Sequence, residues 1–125
     1  AATLVEGVTE TPEGLFKGCT SLSKVGLPST LTRLGDYTFY ECKALKNNEW
    51  TSIIMPGQTT TDGMAKEAGN LLEIGAYAFA YSGIVRIKIP ASTNIIGNDA
   101  FAYCVDLAEI IFENRRRNAS WLYRP

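Results

Sequence analysis

The sequence predicts a solenoid of α/β type, in which short parallel strands stack in about four to five coils with turns or short helices between them. Three features recur in order along the chain: an apolar residue followed by glycine, a phenylalanine five residues after the apolar one, and an apolar stretch that ends at proline. One such repeat cannot bury its apolar face alone, so neighbouring coils must stack to make a core. The anchoring phenylalanines are Phe16, Phe39, Phe79 and Phe101.

Each of the better repeats begins with an apolar residue that is followed by glycine. Leu34, Ile74 and Ile96 stand five residues before their phenylalanines, and a glycine follows each of them directly. Glycine suits a tight turn or a close approach of two backbones, because it has no Cβ. These glycines are Gly35, Gly75 and Gly97.

The segment around each phenylalanine is expected to form a turn or short helix that packs the ring inward. A small residue stands three positions after the phenylalanine, and serine shares this column with cysteine, so small size is what the place needs. We therefore expect buried, reduced thiols rather than a redox pair or a metal site, and an odd number of cysteines cannot all pair within the chain. The column holds Cys19, Cys42, Ser82 and Cys104.

A short strand is expected after each turn. Residues 25–28 and 87–90 alternate apolar and other residues, as a strand with one buried face does. Both stretches end at proline, which has no N–H to donate to a neighbouring strand. The polar residues beside the apolar positions should point outward; they are Lys24, Arg86, Lys88 and Glu109.

The spacing of the repeats changes in the middle of the chain. The interval is 23 residues from Phe16 to Phe39 and 22 from Phe79 to Phe101, but 40 from Phe39 to Phe79. Either one repeat carries an insertion at 46–70 or a coil there is degenerate, and we expect the stacking phase to break. A short helix over 63–68 is also expected there, with Asp62 as its cap.

The chain is therefore divided into two parts. Residues 1–113 are expected to form the solenoid, including the insertion. Residues 114–125 match no repeat and are expected to form a basic tail or cap.

Residues 34–45, 72–90 and 96–107, with a weaker copy at 8–22, resemble the BspA-like, or Treponema-type, leucine-rich repeat. The resemblance implies a leucine-rich repeat solenoid in an extracellular or cell-surface protein. It implies adhesion or protein binding, with host extracellular matrix proteins among the candidate ligands, and no shared catalytic residues. A structural spacer within a larger surface protein is the alternative.

Composition argues against several other functions. The chain has no histidine, which removes the commonest general base and metal ligand, so we expect no enzyme, metal or cofactor. Residues 1–113 hold 13 acidic and 8 basic groups, a net of −5, and such a body repels nucleic acid. No stretch of 18 apolar residues occurs, so no membrane span is expected.

Tyrosines flank the phenylalanines and should form ridges on a solenoid. Tyrosine offers a large contact area at a low entropy cost, although partial packing over the turn is the alternative. Trp50 lies at the insertion and would either contact a ligand or fill a gap in the core. The ridge columns hold Tyr37, Tyr40, Tyr77, Tyr81 and Tyr103. The expected binding residues are Trp50, Tyr77 and Tyr81, followed by Arg86 and Lys88.

Overall fold

The computed structural model describes residues 2–4, 7–46, 53–54 and 71–112. Every regular element within these ranges is a β-strand of two to four residues, and all the strand pairs are parallel. The strands are β1 (Ala2–Thr3), β2 (Val25–Gly26), β3 (Arg33–Leu34), β4 (Ile53–Ile54), β5 (Glu73–Ile74), β6 (Arg86–Ile89), β7 (Ile95–Ile96) and β8 (Glu109–Phe112).

Strands β3, β5 and β7 form one parallel ladder. Glu10 extends it by a single bridge to Arg33. The register places Leu34 beside Ile74 and Ile74 beside Ile96, which are the residues that the sequence predicts to be equivalent. The repeat phase is therefore confirmed across these coils.

The strands that follow the turns form two further parallel sheets, one of β1, β2 and β4 and one of β6 and β8. Ile87 and Ile89 of β6 are buried, whereas Arg86 and Lys88, which alternate with them, are half-buried. Strand β6 ends directly before Pro90, which could not donate the next ladder hydrogen bond. A strand with one buried face that ends at proline is thus confirmed here.

The segments around the phenylalanines are runs of consecutive β-turns, and none of the residues in the described ranges is helical. In the second coil the N–H groups of Thr38, Tyr40 and Cys42 donate to carbonyl oxygens three residues earlier, at 3.1–3.3 Å. The backbone is left-handed at Tyr37 (φ 60°) and Glu41 (φ 62°). A right-handed helix cannot pass through such residues, so the described segments have turns and not short helices.

Backbone hydrogen bonds also connect each turn to the turn of the next coil. The stack of turns therefore has a ladder of its own, and its backbone groups are satisfied without a strand. At the phenylalanine positions, the backbone N–H of Phe16 donates to the carbonyl oxygen of Thr38 at 2.9 Å. The N–H of Phe39 donates to the carbonyl oxygen of Ala78 at 2.7 Å, and that of Phe79 to the carbonyl oxygen of Ala100 at 2.8 Å.

The four phenylalanines form one stacked column in the core. Successive ring centroids lie 5.5, 5.1 and 5.3 Å apart. Phe39 and Phe79 are completely buried, which confirms the predicted column at its centre. Phe16 and Phe101 at its ends are only half-buried, because no described ring covers their outer faces. The largest completely buried side chains around the column are Leu31, Leu34, Leu45, Leu71, Ile74, Ile84 and Ile89.

The expectation that residues 46–70 break the stacking phase is wrong for the phenylalanine column and for the ladder of β3, β5 and β7, whereas the strands after the turns form separate sheets on the two sides of the insertion. The rings of Phe39 and Phe79 are 5.1 Å apart, which leaves no space for another coil, and β3 pairs directly with β5. Phe39 and Phe79 therefore lie in adjacent coils, and β4 still pairs with β2. Lengthening a loop costs little closure entropy, so the stack can continue. The expected helix over 63–68 and its cap Asp62 lie outside the described residues.

The glycine column marks a close approach of successive coils, as the sequence predicts. A Cβ on Gly75 would lie 2.7 Å from the backbone nitrogen of Asp36. A Cβ on Gly97 would lie 2.5 Å from the backbone nitrogen of Ala76, and Gly35 is equally close to the coil before it. Any larger residue would push the coils apart at these places.

All three cysteines are free, as expected. Cys42 is buried, but Cys19 and Cys104 are only half-buried, so the expectation of complete burial is wrong for the two ends of the column. The thiol of Cys42 donates to the carbonyl oxygen of Phe16, and that of Cys104 to the carbonyl oxygen of Phe79, both at 3.0 Å. Burial raises the pKa of Cys42 to about 11, so it is a structural thiol.

Replacing Phe79 with alanine should lower the free energy of unfolding by about 3–5 kcal/mol, because it leaves a cavity between two stacked rings. Urea denaturation followed by circular dichroism measures the change. Val105→Ala is the control, because Val105 is 87% exposed and its truncation should change stability by less than about 0.5 kcal/mol. Equal stabilities of the two variants would contradict the proposed core.

Gly75→Ala should cost about 3 kcal/mol, because its Cβ would collide with the backbone of the preceding coil. Gly18→Ala is the matched control: Gly18 has a φ of 74°, and an added Cβ would meet nothing within 4 Å. The control should therefore lose only the roughly 1 kcal/mol of a left-handed alanine. Thermal denaturation compares the two, and a Gly75→Ala protein as stable as the control would refute the close approach.

Titration of the unfolded protein without reductant should find three free thiols. In the folded protein at pH 8, Cys42 should be the last to be alkylated, because burial raises its pKa and the thiolate is the reactive form. Mass spectrometry of the alkylated peptides gives the order. A single free thiol after unfolding would indicate a disulfide instead.

Candidate functional site

Tyrosine rings project from the stacked turns on both sides of the buried phenylalanine column, and we name this surface the tyrosine ridge. The turn backbone is left-handed two residues before and two residues after the phenylalanine, with φ of 58° at Tyr77 and 60° at Tyr81. Residues other than glycine rarely adopt this conformation, so the stacked turns must hold it in place. The tyrosine ridge consists of Tyr37, Tyr40, Tyr77, Tyr81 and Tyr103.

The first row of the ridge follows the position two residues before the phenylalanine. The rings of Tyr37 and Tyr77 stack at 5.1 Å with an angle of 6° between their planes. In the next coil the same position holds Asp99. The negative charge of Asp99 and its hydrogen bond with the Tyr77 hydroxyl raise the pKa of Tyr77. The row therefore ends in the carboxylate of Asp99, whose hydrogen bond holds the ring of Tyr77 in place.

The second row follows the position two residues after the phenylalanine. The rings of Tyr81 and Tyr103 stack at 4.9 Å with an angle of 12° between their planes. Tyr40 joins the two rows, because its ring contacts that of Tyr37 at 5.1 Å and that of Tyr81 at 5.4 Å, both edge to face. Tyr103 is 70% exposed and Tyr81 36%, so this row faces solvent.

Two lysines lie against the ridge. The Nζ atom of Lys17 is 5.3 Å from the ring centre of Tyr37 and 5.4 Å from that of Tyr40. The Nζ atom of Lys43 is 5.9 Å from the ring centre of Tyr81. At such distances an ammonium is attracted to the electron-rich face of the ring. The ridge therefore combines aromatic area with positive charge.

An open groove of about 680 Å³ lies where the ridge meets the first coil. A carboxylate, an ammonium group and two phenol rings line it, together with one glycine. This set can bind a ligand through stacking and hydrogen bonds, and it holds no activated nucleophile. The lining residues are Glu13, Gly14, Lys17, Tyr37 and Tyr40.

The outward residues of the strands form a second polar surface. The Nε atom of Arg86 lies 3.4 Å from a carboxylate oxygen of Glu109, its direct partner in the register of β6 and β8. The Nε atom of Arg33 lies 3.3 Å from a carboxylate oxygen of Glu73, which is paired with it in the other ladder. These exposed pairs each contribute about 0–1 kcal/mol and favour the observed register.

The structure places the predicted binding residues on two surfaces. Tyr77 and Tyr81 belong to the ridge and lie on either side of one buried phenylalanine. Arg86 and Lys88 lie on β6 and are not part of the ridge. Trp50 lies outside the described residues.

Four residues of the site were not among the predicted ones: Glu13, Gly14, Lys17 and Lys43. Lys17 stands one residue after its phenylalanine, where the second repeat has Tyr40, and Gly14 stands two before, where that repeat has Tyr37. The columns could have identified both positions. However, neither Gly14 nor Lys17 is aromatic, so the repetition of tyrosine in these columns does not indicate them.

Two further features concern metals and membranes. Within the described ranges, no three His, Cys, Asp or Glu side chains converge as a metal ion would need. No helix in these ranges has the length and apolar character to cross a membrane.

A family model described as the BspA type leucine-rich repeat region matches residues 2–61 and 68–120. It counts six copies along the chain, against the four to five coils predicted, and the number of coils stays a prediction. No curated protein matches the sequence significantly.

Solved structures of three bacterial proteins have a similar fold. A leucine-rich repeat protein from Bacteroides ovatus matches with a TM-score of 0.69 and 28% identity over 87% of this chain and 24% of its own. The pneumococcal vaccine antigen PcpA matches with a TM-score of 0.56 and 20% identity, over 90% of this chain and 24% of its own. The leucine-rich repeat protein TpLRR of T. pallidum matches with a TM-score of 0.55 and 25% identity, over 87% of this chain and 57% of its own. The chain thus spans about a quarter of the first two structures.

Proposed function

Because the chain belongs to the family of BspA-type leucine-rich repeat proteins, we propose that it is a non-enzymatic protein-binding module of a secreted or cell-surface protein. Its ligand is a protein, with host extracellular matrix proteins as the first candidates, and adhesion is the biological outcome. The acidic charge of residues 1–113 argues against nucleic acid as a partner, and the proposal includes no cofactor.

The observation that carries this proposal is the stacked arrangement of the tyrosine ridge. Five rings on three successive coils contact one another at 4.9–5.4 Å, so each ring is held by its neighbours before any ligand arrives. Side chains that are already ordered lose little entropy on binding. Tyrosine is also enriched among the residues that contribute most to protein interfaces.

Arg86 and Lys88 on β6 are proposed as additional contacts, since both stand at half-buried outward positions of the strand, where Glu109 holds the guanidinium of Arg86. Trp50 is proposed as a further contact. Residues 1–113 with the insertion at 46–70 would act as one solenoid, and residues 114–125 as a basic tail or cap.

A spacer within a larger surface protein is the second candidate. It is supported by the last described coil, whose strands expose apolar side chains that suit the stacking of another coil. The exposed residues are Ile95, Ile96, Ile111 and Phe112.

The experiment is a capture assay with the intact chain immobilised and a panel of purified extracellular matrix proteins. The double variant Tyr81→Ala and Tyr103→Ala should weaken capture at least tenfold, because truncated hot-spot residues cost more than about 1 kcal/mol each. Leu72→Ala is the control, because Leu72 is 48% exposed and belongs to the strand side of the coil.

The double variant should keep a melting temperature close to that of the unmodified chain, since Tyr103 is mostly exposed. Capture that is unaffected by the ridge variant but lost in Arg86→Ala and Lys88→Ala would move the site to the strands. No capture by the unmodified chain would favour the spacer.

A further inference from the structure

We propose that the groove at the first coil is a slot for one aromatic side chain, a tyrosine or tryptophan of the protein partner. The incoming ring stacks on Tyr37 and adds one more ring to the first row of the ridge. The idea rests on the proposed function and names the feature of the partner that this end of the ridge recognises.

The register of the turns shows where a ring is lacking. The N–H of Tyr37 donates to the carbonyl oxygen of Ala76 at 3.0 Å, and the N–H of Tyr77 makes the equivalent bond to the next coil at 3.1 Å. The N–H of Gly14 makes the same bond to Asp36 at 2.8 Å. Gly14 therefore occupies the row of Tyr37 and Tyr77, but it contributes no side chain.

On one face of the Tyr37 ring the row therefore places no other ring, and the ammonium of Lys17 lies over Tyr37 with its Nζ atom 5.3 Å from the ring centre. Tyr77 stacks on the other face at 5.1 Å with nearly parallel planes. On the side of the first coil, the groove opens between Gly14 and Lys17. A flat ring placed there can repeat the stacking that the protein makes between its own coils.

The charges around the groove favour an aromatic ring over other flat groups. The ammonium of Lys17 lies over Tyr37, so an incoming ring must displace it. The flexible lysine side chain can then lie over the incoming ring, whose face attracts an ammonium as that of Tyr37 does. The same ammonium repels an arginine guanidinium, which is the other planar group that stacks on tyrosine. Glu13 lines the groove as a hydrogen-bond acceptor for the hydroxyl of tyrosine or the indole N–H of tryptophan.

The groove can be filled by mutation to test the slot. A Cβ on Gly14 would lie 3.6 Å and 3.8 Å from two carbons of Lys17, which is ordinary contact. Its φ of 68° is close to the 60° of Tyr37 and the 58° of Tyr77, which hold tyrosine at the same position. Gly14→Tyr should therefore fold and occupy the slot with its own ring.

The matched control is Gly18→Tyr. Gly18 has a φ of 74°, lies in the second row of the ridge, does not line the groove, and has nothing within 4 Å of an added Cβ. The two variants thus add the same side chain on the same turn in the same backbone conformation. They differ in which row receives the ring and in the contact with Lys17, which only the residue at position 14 makes.

The probes are N-acetyltyrosinamide and N-acetyltryptophanamide, with N-acetylleucinamide as the apolar comparison. Binding to the intact chain is measured by amide chemical shifts in two-dimensional NMR. We expect shifts centred on Gly14, Lys17 and Tyr37 for the aromatic probes, and binding at least tenfold weaker for the leucine probe. Gly14→Tyr should weaken binding of the aromatic probes at least tenfold, and Gly18→Tyr by less than twofold.

Equal binding of the leucine and tyrosine probes, or full binding by folded Gly14→Tyr, would overturn the slot. If Gly14→Tyr does not fold, Lys17→Met decides: it should weaken the tyrosine probe at least threefold, and unchanged binding overturns the proposal. The slot and the proposed function fail separately. Matrix capture that depends on Tyr81 and Tyr103 without probe binding refutes only the slot, and probe binding without any capture refutes only the adhesion function.

Discussion

The close stacking of successive coils is the constraint on which the rest of the structure depends. Each coil is connected to the next by backbone hydrogen bonds on its strands and also on its turns. Such bonds require short separations, and at Gly75 and Gly97 even a single methyl group would not fit between coils. Because the spacing is fixed by the backbone, every side-chain column is compressed to ring separations of about 5 Å.

The same constraint sorts the side chains by position rather than by residue type. Phe39 and Tyr37 are both aromatic and only two residues apart, yet one is completely buried and the other is part of an outer surface. The backbone is left-handed at Tyr37 and at the equivalent positions, where the side chain points outward, and the phenylalanine two residues later points into the core. The inner columns form the core. The outer columns have the same spacing between coils but do not contribute to the core.

The sequence predicted the parts of this fold that recur. The phenylalanine column, the glycine column and the proline-ended strand β6 could be identified because each repeats at a fixed offset. The effect of the insertion on the stacking could not be predicted, because the number of inserted residues does not reveal whether the coils on its two sides are adjacent. The structure reveals this through the contact of Phe39 with Phe79. Tyr77 and Tyr81 were predictable as outward columns, whereas the groove was not, because it depends on a side chain that Gly14 lacks.

The left-handed turn positions have a consequence for how such a surface can change. Their backbone angles are nearly the same whether the residue is tyrosine, glutamate, aspartate or glycine, as Tyr77, Glu41, Asp99 and Gly14 illustrate. The identity of the residue there is therefore largely uncoupled from the shape of the coil. A substitution at one of these positions can therefore change the outward side chain of a single coil while the buried columns stay the same, so one scaffold can present many different surfaces.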